Sequence, residues 1–176
     1  MTDHRPEPPL AGDEASTLLG FLDFLRATIL DKADGLDAAQ LDQRLAPSTM
    51  TLGGMLKHLA LVEDWWFSCV LLGNEHADPF HDVDWKADAD WDWHSATEDT
   101  PDELRDLLAR FVEESRAITA DTLAGADGIM TLSVRTSRAG EQFSLRWILA
   151  HMIEEYARHA GHADLIRESI DGRTGE

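Results

Sequence analysis

Trp147-Ile-Leu-Ala-His-Met-Ile-Glu-Glu-Tyr-Ala-Arg-His-Ala-Gly-His162 is the stretch whose reading decides the fold. Within it His151, Glu155, His159 and His162 recur at intervals of four, four and three. At roughly 100° per residue, that spacing lays all four on one helical stripe about 80° wide. Ile148, Met152, Ala163 and Ile166 project the same way, so the stripe that carries the imidazoles and the carboxylate is also the apolar one. Unpaired polar groups aimed at a core are costly, so this face needs a partner, and a metal ion supplies one. His and carboxylate side chains at i and i+4 suit zinc-type coordination and leave at least one ligand to come from elsewhere in the chain.

Working outward, 176 residues of which 43% are hydrophobic fit one domain with a sizeable core. No apolar run approaches the roughly 20 residues of a membrane span, and the first residues lack the apolar segment of a signal peptide. A cytoplasmic protein is therefore expected. The single cysteine, Cys69, permits no internal disulfide and reads as small core filler. A net charge of −19 argues against nucleic acid and against an anionic membrane surface, both of which call for clustered Lys and Arg. Only Lys32, Lys57 and Lys86 are lysine, an arginine bias typical of a GC-rich bacterial genome.

The hydrophobic pattern divides the chain into a flexible N-terminal tail over 1–12, a helical domain over 13–170 and a C-terminal tail over 171–176. Helix one follows Asp13 on Leu18, Leu22, Leu25, Ile29 and Leu30 and stops at Gly35. Asp37-Ala-Ala-Gln40 resembles a capping box for a short helical turn. Helix two spans about 51–72, its buried face built from Leu52, Met55, Leu59, Val62, Trp66 and Val70. Residues 75–99 then carry nine acidic side chains against one lysine, with Phe80, Trp85, Trp91 and Trp93 among them and no sustained period. So long a connection reads as a lid, a binding loop or an interface arm. Thr100-Pro-Asp-Glu103 combines a cap, a first-turn proline and an acidic residue, and opens helix three. A short hairpin or extended segment over 129–143 precedes Ser144, which caps helix four. The expected architecture is all-α: a four-helix bundle with a long acidic, Trp-rich loop between helices two and three and a short extended segment before helix four.

Bundles build sites between facing helices, so the missing ligand belongs on another helix's inner side. Apart from helix four, His58 is the one histidine on a helix, flanking an apolar face beside Met55 and Val62. Glu63 falls inside the same apolar stripe and has two readings. It pairs with a buried arginine, Arg158 or Arg26, or it orients a ligand histidine. Cys69 is eleven residues from His58, roughly 16 Å along the axis, too far to share its ion. His151 and His162, one turn either side of the Glu155–His159 pair, have three readings, as a fourth ligand, a residue supporting the ligands or a proton carrier, of which support is favoured for both.

The pairing of Leu56-Lys-His-Leu59 with Glu155-Tyr-Ala-Arg-His159-Ala-Gly-His162 resembles the DinB superfamily, in particular its DUF664 branch, over about residues 13–170. The resemblance implies a four-helix bundle with a three-ligand metal site, one His from the second helix and a pair at i and i+4 from the fourth. By that resemblance His58, Glu155 and His159 are the ligands. Many relatives have His where this chain has Glu155, whereas the mycothiol-dependent maleylpyruvate isomerases use Glu. The implied cofactor is a divalent metal, zinc or alternatively nickel.

Three protein ligands leave one position open, and an open site can act on water, on a carbonyl or on a thiol. The resemblance implies the thiol: a metal-dependent S-transferase that uses a low-molecular-weight thiol of the mycothiol type against small electrophiles, with no nucleic-acid or membrane partner and a homodimer as one arrangement. Acidic residues in the loop would favour cationic or neutral electrophiles. The alternatives are a hydrolase using bound hydroxide, with His151 or Glu63 as the catalytic base, and a non-catalytic metal-stabilised bundle. No Gly-x-Gly-x-x-Gly, no phosphate-binding Gly-x-x-x-x-Gly-Lys and no His-Glu-x-x-His is present.

Overall fold

A computed structural model describes residues 5–174. Helix α1 (Glu14–Ala33) begins where Asp13 accepts a hydrogen bond from the Ser16 amide, and Gly35, at φ +71°, lets the chain turn away after it. The turn α2 (Ala38–Leu41) has the reciprocal capping box of Asp37 and Gln40 that the sequence announces. Thr51 caps α3 (Leu52–Glu63). This helix does not end at Glu63 but continues as a π-helical segment over Asp64–Leu71, which periodicity does not disclose. Thr100 and Glu103 form a second capping box for α5 (Pro101–Ala124), and Ser144 caps α6 (Leu145–Asp171), which stops at Gly172 with φ +80°.

Of the two connections, one departs from the expectation and the other settles between its alternatives. The 75–99 segment is not a bare loop, because it contains α4 (Trp91–His94) followed by a 3-10 turn over Ser95–Glu98. A four-residue helix is too short to show a period, so its apolar residues look scattered in the sequence. The 129–143 segment forms a real two-stranded antiparallel hairpin, β1 (Leu132–Thr136) with β2 (Gln142–Ser144), pairing Leu132 with Ser144 and Thr136 with Gln142. The described residues are thus mostly helical, with six α-helices and this small sheet.

Helix α1 lies along α6, and α3 along α5. Their inner faces meet in one core that includes Leu22, Ile29, Met55, Leu59, Phe67, Leu108, Phe111, Ile148, Met152 and Tyr156. Arg167 of α6 closes the far end by donating to the carbonyls of Lys32 at 2.9 Å and Asp34 at 2.8 Å, which α1 cannot satisfy internally. Arg173 continues the clamp with two bonds to Asp31, at 2.6 and 2.7 Å. At the other terminus Pro8 and Pro9 seat on Gly20, where an added Cβ would come within 2.6 Å of Pro9, and Arg5 donates to Thr28 at 3.1 Å. Residues 1–4 and 175–176 of the two expected tails lie outside the described residues. No described helix is long and apolar enough to cross a membrane.

Candidate metal centre

Helix α6 presents its polar stripe with graded burial. His159 is buried, Glu155 is 19% exposed in its side chain and His151 24%. Across from them α3 presents His58. Its Nε2 lies 3.4 Å from Glu155 Oε1, and His159 Nε2 lies 3.2 Å from the same oxygen. The two imidazoles meet edge to face with centroids 5.2 Å apart. Residues 97 positions apart in sequence thereby place one ligand atom each within 4.8 Å of one another.

The sequence reading missed the group that aims His58. Asp92, on the short α4, is buried, and His58 Nδ1 donates to its Oδ2 at 2.7 Å. With Nδ1 bonded to Asp92, Nε2 is the ring nitrogen turned to Glu155, and an Asp–His pair of this kind is the arrangement that supports metal ligands. Trp93 stacks on His58 with centroids 4.8 Å apart and an angle of 27°, and lies 5.8 Å from His159. It reaches that place across Gly54, where a Cβ would sit 2.7 Å from the indole. Lys57 anchors the same segment through Asp99 at 2.5 Å and a cation–π contact of 4.6 Å with Trp91. Asp92 was invisible because it is one of nine acidic residues in a stretch without a period.

Electrostatics fit a cation site. Burial alone would discharge His58, but its bonds to Asp92 and Glu155 outweigh that and push it up to about 9. Hydrogen bonds from His159 and then His58 hold Glu155 well below the usual carboxylate range. Burial, together with the charges of His159 and Arg158, lowers His162. The Nδ1 atoms of His159 and His162 are buried with no partner among the described residues. Two imidazole nitrogens and one carboxylate oxygen, with a further carboxylate bracing one of the rings, are a donor set that could hold a divalent metal ion.

The other named residues separate from this group. His151 stacks on Trp147 at 5.0 Å, abuts Trp66 edge-on at 4.7 Å and lies 3.3 Å from Glu154, outside the three-ligand cluster. His162 packs behind His159 with ring centroids 5.5 Å apart. Glu63 is fully buried and orients no histidine. Arg26 donates to it twice, at 2.8 and 2.7 Å, and the Tyr156 hydroxyl donates at 2.7 Å. Of its two suggested arginine partners the structure selects Arg26, while Arg158 pairs with Glu154 at 3.0 Å. A carboxylate with both oxygens engaged by a guanidinium is poorly disposed to act as a base.

A helical fold with two imidazoles and a carboxylate converging between α3 and α6 is the kind of protein that the DinB superfamily comprises. The mycothiol-S-transferase family model matches residues 17–172, and the chain belongs to that family. No curated protein matches it.

Proposed function

We propose that this chain is a metal-dependent S-transferase that joins a low-molecular-weight thiol of the mycothiol type to a small electrophile. The observation that carries the reading is the convergence of His58, Glu155 and His159 in a chain of the mycothiol-S-transferase family. On this reading the four long helical segments form a four-helix bundle whose inner faces hold the centre, and these three side chains hold the ion, zinc or nickel. A divalent ion held by these residues would supply one thing, a lowered pKa for a bound thiol and so a thiolate near neutral pH.

The chain's own residues do the rest. Asp92 fixes the His58 ring and keeps its proton on Nδ1. Trp93 packs over both imidazoles and limits water at the centre. The same indole lines a cleft of about 510 Å³ shared with Arg44, Met50, Asp90 and His94, which accommodates the polar bulk of the thiol. His151 is the side chain left for proton handling, because Glu63 is committed to Arg26 and Tyr156.

The test is conjugation of mycothiol to a haloaromatic or bimane electrophile, with zinc-loaded, nickel-loaded and metal-stripped protein. Metal-dependent product that disappears in His58→Ala and His159→Ala supports the proposal. Loaded protein that leaves the thiol untouched but cleaves esters or amides would replace it with the hydrolase reading, and inactivity in both assays would favour a structural metal.

A further inference from the structure

The π-helical segment brings together a second set of donors. In an α-helix, residues five apart point about 140° away from each other. Hydrogen bonding from i to i+5 stretches the turn so that such residues come nearly one above the other. Asp64 and Cys69 are so related, and Cys69 Sγ lies 3.7 Å from Asp64 Oδ2. His76, after the turn at Gly73, completes the group: its Nδ1 donates to Asp64 Oδ2 at 2.6 Å and lies 3.6 Å from Cys69 Sγ. Asp64 and Cys69 are buried, and Asp64 Oδ1 has no partner among the described residues.

We propose that Asp64, Cys69 and His76 form a second divalent-cation site of zinc type, distinct from the centre at His58. Tetrahedral zinc with bonds of about 2.0 to 2.3 Å requires ligand–ligand separations of roughly 3.3 to 3.6 Å. Both distances to sulfur already lie close to that range, and only the Asp64–His76 hydrogen bond must open, by about 0.8 Å. Stacking on Trp65, at 5.4 Å and 28°, holds the His76 ring in place. A cavity of about 330 Å³, lined by Leu61, Trp65, His76, Trp85 and Ala89, gives the ion and a fourth ligand, water, a way in. The buried Asp64 carboxylate has donors on Oδ2 alone and none on Oδ1 among the described residues, so a cation at Oδ2 would offset charge that the protein leaves under-compensated. Binding breaks the Cys69 S–H bond, forms a sulfur–metal bond and releases the proton to solvent, while His76 moves its ring proton from Nδ1 to Nε2. Bound there, the ion would tie the end of the α3 helix to the start of the acidic connection that carries Asp92 and Trp93.

Cobalt(II) tests this independently of any enzymatic activity, because only the second set contains sulfur. The wild-type protein, reduced and then freed of added thiol, should take two equivalents and develop a thiolate-to-cobalt charge-transfer band in the near ultraviolet. The double variant His58→Ala, His159→Ala should take one equivalent and keep the band. Cys69→Ser, with its helical circular dichroism intact, should take one equivalent and lose it. His76→Gln should weaken the band-forming event by at least about tenfold. The proposal fails if the wild type shows no such band, if the band survives Cys69→Ser, or if His76→Gln leaves its cobalt dependence unchanged. None of these outcomes depends on whether the His58 centre transfers thiols.

Discussion

Glu63 and Glu155 are two carboxylates that reach from long helices towards their neighbours, and their surroundings could hardly differ more. Glu63 is sealed, with one guanidinium and one phenol donating three hydrogen bonds to its two oxygens. Charge and donors balance there, and the knot ties α1, α3 and α6 into one core. Glu155, the residue before Tyr156, is half open and shares a single oxygen between two imidazoles. Behind it the Nδ1 atoms of His159 and His162 find no partner among the described residues. A balanced polar group in a core is structural, and an imbalance of donors beside it marks a place for a ligand. The same two helices carry both arrangements, with Glu63 only five residues beyond His58 on α3.

Breaking the sealed knot should have the largest effect. Arg26→Met strands a buried carboxylate, and unfolding by urea should show a loss of about 3 to 5 kcal/mol. The fraction that remains folded should still bind metal at the His58 centre. A loss below about 1 kcal/mol would mean that the knot is solvated and that the contrast with Glu155 is false.

The open centre should respond through its ion instead. Zinc at a hundred times its dissociation constant stabilises a folded state by about 2.7 kcal/mol per site. In a Cys69→Ser background, which silences the proposed sulfur site, His159→Ala should abolish that zinc-dependent increment in thermal unfolding. If zinc stabilised the double variant as it does Cys69→Ser alone, His159 would not be a ligand.

Much of this was legible in the sequence because helices convert spacing into direction. The intervals of α6 put His151, Glu155, His159 and His162 on one stripe and the apolar edge of α3 offered His58, while the choice of His58, Glu155 and His159 as the set came from the resemblance to the DinB superfamily; Glu63 in the apolar stripe of α3 left a buried pair with Arg26 or Arg158 as one of its two readings. What was not legible depends on features without a period. The π segment changes the angle between Asp64 and Cys69 without altering composition, so Cys69 read as filler. Asp92 sits on a helix of four residues, and only the tertiary fit of Trp93 against Gly54 brings it to His58.

Asp92 therefore gives the next test. Asp92→Asn preserves shape but removes the charge that braces the His58 ring, and should weaken zinc binding about 10- to 100-fold, equivalent to about 1.4 to 2.7 kcal/mol. Competition against a chromophoric chelator would measure it. Affinity within twofold of wild type would reduce the Asp92–His58 bond to a packing contact.

The smallest effect separates the two carboxylates most sharply. Tyr156→Phe deletes one donor to Glu63 and leaves both Arg26 bonds in place, so the cost should be about 1.5 kcal/mol in urea unfolding. Tyr156 immediately follows Glu155 but is buried in the core, and its hydroxyl is bonded to Glu63, which makes no hydrogen bond to His58 or His159. Zinc affinity should therefore stay within about twofold of wild type, since groups without shared partners act independently. A parallel loss of affinity would show that the knot positions the metal ligands through α6, and the sealed and open carboxylates would then be a single coupled network.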